Sequence, residues 1–391
     1  MGASKTRIGV VGTGLIGKGL TMELERQPDL EVGSILTRRD IGSMDGHPSR
    51  EKLTNDVEHF LARVDLVVEC SGDCIYGTEV IDRSIRAGLP VVTMNAELQV
   101  TTGSWFARRG FITEAEGDQP GCLAALKENA VSMGFEPVVY GNIKGFLNTN
   151  PAREDMEYWS ARNGTTLGMT TSFTDGTKVQ IEQVLVANGL GAAIVKPGLA
   201  GPAAEDAHEG GLLLAGMAER IGMPVSDYIL APKLPPGVFI TARHDERQRD
   251  ALRYYKMGAG PYYTLLVNFH LCHLEIIKTI RRVLAGGGVL LNNGVQPKYS
   301  VAALAKRDLA RGERIEKGIG SFEVRGVAVE TAEVPDHVPI GLLADARLIR
   351  PVKEGQLITF ADVELPDTLA LRAWREIRGT AAAAFPQAAS S

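Results

Sequence analysis

One hexapeptide constrains this chain more than any other feature. Gly12-Thr13-Gly14-Leu15-Ile16-Gly17 follows directly on Arg7-Ile8-Gly9-Val10-Val11, an apolar run of the right length for a buried strand. After it come Lys18 to Arg26, where Leu20, Met22 and Leu24 can pack one side of a helix. In this strand–turn–helix setting each glycine of the G-x-G-x-x-G pattern has its own task. Gly12 permits the tight turn, Gly14 lets the backbone approach a pyrophosphate, and Gly17 allows the helix to lie close on the strand. The helix start then offers backbone N–H groups and a partial positive charge to phosphate oxygens. A dinucleotide-binding fold is implied, with Thr13, Leu15 and Ile16 completing the phosphate turn.

The second strand, Leu30 to Leu36, ends in Thr37-Arg38-Arg39-Asp40. An NAD site usually places an acidic residue at this tip for the ribose 2′-hydroxyl, whereas guanidinium groups suit a 2′-phosphate. Thr37, Arg38 and Arg39 therefore favour NADP, and NAD stays open through Asp40 one register later. A further strand is expected over Val64–Cys70, a helix over Thr78–Ala87 and a strand over Leu89–Asn95. This alternation argues for a doubly wound parallel sheet, whose ligands lie beyond the carboxyl ends of the strands. Ser71, Gly72, Asn95 and Glu97 are thus candidates for the nicotinamide half, although Asn95 and Glu97 equally suit a helix cap.

Phe135–Asn142 reads as a later strand of the nucleotide domain, which is assigned residues 1–150. A middle α+β domain is expected over 151–298, with a helix around 270–285 packing back on the nucleotide domain. Leu167–Phe173 has β-like texture, Thr174–Thr177 a turn, and Lys178–Asn188 a helix opened by a Thr177-x-x-Gln180 capping box. Lys178 then stands in the first turn, where the dipole disfavours a cation and an anionic substrate or acid–base role is the functional reading. His270 and His273, three apart, would share a helical face. No H-E-x-x-H pattern accompanies them, and no metal is assigned. From Val301 the texture becomes β-rich. Lys306–Ile315 resembles Ile349–Ile358, each turning through a glycine, which suggests one small clip over 299–370 followed by a tail, 371–391, frayed from Ala381.

Composition narrows the class. The 391 residues carry 42 basic and 47 acidic side chains, a net charge of -5 that gives no global case for nucleic acid. Four cysteines are too few for a disulfide framework in so long a chain, and the C-x3-C pair Cys70 and Cys74 lacks a companion pair for zinc. No signal-peptide core or membrane-length apolar run is present, so a soluble cytoplasmic protein is expected.

At Val91-Val92-Thr93-Met94-Asn95-Ala96-Glu97 the chain resembles homoserine dehydrogenases, with Ala96 where those enzymes usually carry lysine. A closer likeness is to the 1-deoxy-D-xylulose 5-phosphate reductoisomerase-like group. It rests on Glu116–Gly121, Ser172–Lys178, and Gly260–Tyr263 through His270–His273. The C-terminal clip resembles a SAF domain, and together the likeness spans about residues 5 to 367. It implies NAD(P)H-dependent reduction of a small hydroxy ketone or sugar-phosphate-like molecule, with a rearrangement beforehand, in a homo-oligomer. Under that reading Lys178 and Lys144 stabilise the developing alkoxide, Asp175 orients Lys178, and His270 or Lys178 moves the proton. Lys256 and Arg253 are candidate phosphate clamps, and Asp118 and His273 further substrate contacts. A plain dehydrogenase of a hydroxy acid, sugar acid or homoserine-like compound is the alternative, and a non-enzymatic NADP sensor the rival of another class.

Overall fold

The computed structural model describes residues 5–384. By internal contacts the chain divides into two compact units, 1–115 with 272–297 and 366–391, and 116–271 with 298–365. Among the described residues no helix is long and apolar enough to cross a membrane.

The first unit is built on six parallel strands: β1 Thr6–Val11, β2 Leu30–Leu36, β3 Leu53–Thr54, β4 Leu66–Glu69, β5 Val91–Thr93 and β6 Ile112–Glu114. Their order across the sheet is β3-β2-β1-β4-β5-β6, so the chain reverses direction across the sheet beside β1 and β4. That reversal is where doubly wound folds bind ligands. Helix α1, Leu15–Glu25, follows β1, and α2, Cys74–Arg86, follows β4. Ile8 and Val10 alternate inward from β1 and meet Leu20 and Leu24 of α1. Ile276, Ile277 and Ile280, one stripe of the helix Ile276–Leu284, join the same core. The helix Leu369–Ala384 also belongs to this unit, so the expected frayed tail is helical as far as the described residues reach.

The second unit carries a four-stranded sheet ordered β10-β9-β7-β8, made of β7 Glu136–Lys144, β8 Val225–Leu230, β9 Gly237–Arg243 and β10 Tyr262–Val267. Placing Phe135–Asn142 in the nucleotide domain was therefore wrong: β7 pairs with β8 and β9, and the second unit begins at Glu116. An apolar strand looks the same whichever sheet receives it. Alternation along β7 sorts its side chains. Val139 and Ile143 pack with the helix Ala207–Ile221, whereas Tyr140 packs with Cys122, Leu123 and Val186. Those last residues come from α3, Gln119–Ser132, and from α5, Thr177–Leu190, with α4, Leu167–Thr174, between them in sequence. Asn142 and Lys144 share the parity of Tyr140 and so face α3 and α5.

Two expectations fail here. Leu167–Thr174 is helix, not strand: Thr166 caps it by accepting from Met169 N, and the Thr171 hydroxyl turns back to Leu167 O. The Thr177 capping box does not form either. Gly176, at φ +84°, is the N-cap, and the Thr177 hydroxyl accepts from Gly326 N instead.

The C-terminal part of this unit holds β11 Tyr299–Ala305, β12 Arg314–Lys317, β13 Val324–Glu330, β14 Ala344–Leu348 and β15 Val363–Glu364. β11 pairs with β13, and β12-β14-β15 form a second small sheet. The two look-alike stretches meet each other. Leu309 N donates to Val352 O at 2.8 Å and Val352 N returns to Leu309 O at 3.0 Å. Their glycines, Gly312 and Gly355, both take the left-handed turn, at φ +88° and +79°. The 299–365 segment falls within the second unit and does not separate as a module of its own.

Candidate active site

In the first unit, α1 opens at Gly14 with no side chain capping it. Its first intrahelical bond is Lys18 N to Gly14 O, so the N–H groups of Leu15, Ile16 and Gly17 have no intrahelical partner. A Cβ on Gly17 would lie 2.1 Å from Gly12 O, and one on Gly12, at φ +104°, 2.9 Å from Cys70 O. The fold itself demands both. Gly14 is different: its φ is -78°, and a Cβ there would meet nothing within 4 Å. The fold makes no use of that glycine, whereas a pyrophosphate lying against the backbone would. The turn therefore fits a dinucleotide.

At the tip of β2 the Thr37 hydroxyl meets that of Thr13 at 3.1 Å, and Asn55 donates to Thr37 O and Arg39 O, fixing the turn. Arg39 reaches Thr13 O at 3.3 Å. Arg38 pairs with Asp73 at 2.6 Å and lies over the Tyr76 ring, 4.3 Å from its centroid. Asp40 accepts from Gly42 N and caps a short turn. Two guanidinium groups thus border this end of the sheet.

Beyond β4 and β5, Ser71 N donates to Glu69 Oε1 at 2.7 Å, and Gly72 turns at φ +65°. Asn95 caps the turn that contains Glu97 by accepting from Leu98 N. Sequence reading missed a row of buried groups here. Glu69, Thr93 and Glu114 stand in register on β4, β5 and β6, all fully enclosed. Burial pushes the Glu69 carboxyl above the usual carboxylate range.

The second unit gathers the strongest chemistry. Lys144, last residue of β7, donates to Gln119 Oε1 at 2.6 Å and to Glu182 Oε2 at 3.0 Å. Its side chain is 19% exposed and that of Glu182 only 3%. Glu182 also accepts from Asn142 Nδ2 at 2.8 Å. Gln119 Nε2 donates to Gly237 O, which turns its carbonyl toward Lys144. One turn before Glu182 on α5, Lys178 pairs with Asp118 at 3.4 Å, and Asp118 caps α3 through Gln119 N. Adjacent residues at the start of α3 thus receive one lysine each. Two ammonium groups stand in one enclosed polar cluster, each balanced by a carboxylate. Ammonium groups in such a cluster can donate a hydrogen bond to a substrate oxygen, or a proton or hydrogen bond to a developing alkoxide. Of the candidates, Lys144, Lys178 and Asp118 come together; Gln119, Asn142 and Glu182 were missed. Only the i,i+4 spacing of Lys178 and Glu182 was visible in sequence.

The remaining candidates lie elsewhere. Asp175 is not paired with the Lys178 ammonium: its carboxylate is fully buried on Lys306 Nζ at 2.6 Å, and its Oδ1 accepts from Thr177 N. His270 and His273 share no helix. His273 sits in the turn Cys272–Leu274, the unit boundary falls between the two, and His273 packs on α1 where Gly19 has no Cβ to obstruct its ring. Arg253 and Lys256 are exposed at the end of the short helix Arg249–Tyr254, with Lys256 at φ +65°. A cavity of about 270 Å³ in the same unit is lined by Phe146, Met156, Trp159 and Phe173 with hydroxyls of Thr165 and Thr170. Phe146 follows Lys144 by two positions, and no charged residue lines the cavity.

Comparison with known proteins gives these arrangements a class. Residues 12–106 match the family model described as homoserine dehydrogenase, NAD binding domain, and residues 117–276 that of oxidoreductase DRL, catalytic domain. The chain thus joins a nicotinamide-nucleotide-binding domain to an oxidoreductase catalytic domain, and the class they define is an NAD(P)-dependent oxidoreductase. Among curated proteins, the meso-diaminopimelate D-dehydrogenases of Lysinibacillus sphaericus and Ureibacillus thermosphaericus are each 31% identical over 70 residues. These matches span 18% of this chain and 22% of each relative. Among solved structures, a probable dehydrogenase from Thermotoga maritima is 12% identical with a TM-score of 0.43, covering 73% of this chain and 91% of that one. UDP-N-acetylglucosamine 3-dehydrogenase from Acidithiobacillus ferrooxidans is also 12% identical, with a TM-score of 0.44 and coverage of 74% and 92%.

Proposed function

We propose that the protein reduces, or in reverse oxidises, a small oxygen-rich carbonyl or hydroxy compound, with NADP as the favoured nucleotide. The bound nucleotide supplies or takes the hydride. The chain's own residues hold the substrate oxygen and manage its charge. Lys144 and Lys178 hydrogen-bond the reacting oxygen, and Lys178 gives up or receives the proton that accompanies hydride movement. Glu182 and Asp118 keep the two ammonium groups in place, while Gln119 and Asn142 fix the direction of Lys144 and Glu182. The uncharged cavity lined by Phe146, two positions after Lys144 in sequence, accommodates the part of the substrate remote from the carbonyl. Two arginines bordering the β2 tip support the 2′-phosphate, with Arg38 exchanging its Asp73 partner for it.

The observation that carries this reading is the enclosed pairing of two lysines with two carboxylates at the end of β7 and the start of α3 and α5. A rearrangement preceding reduction rests on the resemblance alone, so the reading stops at hydride transfer. Assignment of 299–370 as a SAF-like clip rests on the resemblance, as does homo-oligomerisation. The test is Lys178→Ala, assayed by nicotinamide absorbance over a panel of hydroxy acids, sugar acids and hydroxy ketones. Loss of turnover by about 10²-fold or more with unchanged nucleotide affinity is expected, since a placed donor of this kind typically contributes that much. Undiminished turnover removes Lys178 from the mechanism.

A further inference from the structure

We infer that the β11–β13 pair sets the position of Lys178, with Lys306 and Asp175 as positioning residues for the reaction. This rests on the reading of Lys178 given above.

The start of α5 has no side-chain cap of its own, and Gly176 precedes it in a left-handed turn. Its placement is imposed from outside the helix. Asp175 accepts from Thr177 N at 2.8 Å and holds Lys306 Nζ at 2.6 Å. Both side chains are sealed, at 0% and 1% exposure, and Lys306 Nζ also donates to Ser321 O at 2.7 Å. Burying two charges carries a desolvation penalty that a well-packed apolar pair would avoid, so overall stability is a poor reason for this pair. What it supplies is a fixed direction for the turn at the head of α5.

Backbone groups of the same small sheet fasten that helix along one face. Gly326 N donates to the Thr177 hydroxyl at 2.9 Å, and Ala328 N to Gln180 Oε1 at 2.8 Å. Farther along, Asn188 Oδ1 accepts from Lys298 N and Tyr299 N, both at 3.0 Å. Residues 177, 180 and 188 form one stripe of α5, and Lys178 and Glu182 form the next. The helix is thus held on the stripe beside the one that presents the lysine. A Cβ on Gly326 would lie 2.8 Å from Val301 Cγ1 and 3.1 Å from Thr177 Cγ2, so the contact leaves no slack.

The test compares Lys306→Met, the double variant Lys306→Met with Asp175→Asn, and Gly326→Ala, in the full chain. The double variant leaves no orphaned buried charge and keeps an acceptor for Thr177 N, so it folds even where the single variant does not. Two readouts are taken on variants whose circular dichroism is native. The first is the acetylation rate of Lys178 relative to Lys144 under N-hydroxysuccinimidyl acetate, followed by mass spectrometry. The second is the split of kcat against KM. Expected are a change of about five-fold or more in that ratio and a fall in kcat approaching 10²-fold, as small misplacements of a reacting group produce, with nucleotide affinity unchanged. An unchanged acetylation ratio in the folded double variant and in Gly326→Ala overturns the inference. Full recovery of both kcat and the wild-type acetylation ratio in the double variant also overturns it, because the pair would then have served stability alone. A changed ratio with undiminished turnover supports the positioning and instead refutes Lys178 as a reacting group.

Discussion

Replacing Lys144 by methionine removes one charge from the enclosed cluster while keeping most of the stem. Glu182, 3% exposed, then keeps Asn142 Nδ2 as its remaining donor among the contacts described above. Breaking a buried pair by deleting one partner typically costs 3–5 kcal/mol, because the other charge is left uncompensated. Lys144 retains 19% exposure, which places the expected loss near the lower end, about 3 kcal/mol. Glu182→Gln leaves Lys144 bonded to Gln119 Oε1 at 2.6 Å and should cost less, about 1–2 kcal/mol. The double variant removes both charges and should lie within about 1 kcal/mol of the milder single one, giving a coupling of ~2 kcal/mol or more in the cycle. Urea unfolding followed by circular dichroism at fixed pH measures all four proteins. Turnover should fall in both Lys144 variants alike, separating chemistry from stability. Additive losses, with Lys144→Met costing under about 1 kcal/mol, would refute the desolvated pair on which the cluster is built.

Two further outcomes are expected. Arg38→Ala should weaken NADPH binding by about ten-fold or more and leave NADH nearly unchanged, measured by fluorescence titration; equal effects on both would remove the 2′-phosphate role. Asp227, enclosed while accepting from Ala200 N, Gly201 N and Tyr228 N, has its carboxyl pushed up by burial from 3.8 to about 6. Because the folded state prefers the protonated acid, its contribution to stability is complete below pH 3.8 and is lost as pH rises through 6. The stability difference between wild type and Asp227→Asn should therefore fall by about 2 kcal/mol between pH 4 and pH 7. A difference that stays flat in urea titrations over that range would show the carboxylate to be ionised throughout.

The parts of this molecule that are local in sequence were legible, and those assembled over distance were not. β1, the glycine turn and α1 follow one another without a break, so spacing alone located the phosphate turn, and β2 was bounded to the residue. Leu167–Thr174 misled because Thr170, Thr171 and Phe173 favour strands locally. Capping by Thr166 and the burial of Thr170, Thr171 and Ser172 make it helix instead. Lys178 stood out by its place in a first helical turn. Gln119, Asn142 and Glu182 could not, since their meeting depends on how α3, β7 and α5 pack. Asp175 was assigned to Lys178 for its nearness in sequence; the positive φ of Gly176 separates them, and Lys306, 131 positions later, takes the carboxylate.

The central claim is that a pyridine nucleotide rests on the backbone at Gly14. Titration calorimetry of wild type and Gly14→Ala with NADPH and NADH tests it most directly, because an added methyl meets no protein atom within 4 Å and should leave the melting temperature unchanged. Measurable binding by wild type, lost or reduced by about ten-fold or more in Gly14→Ala, is the expected result. Equal affinity in the two proteins, or no heat from wild type with either nucleotide, would contradict it.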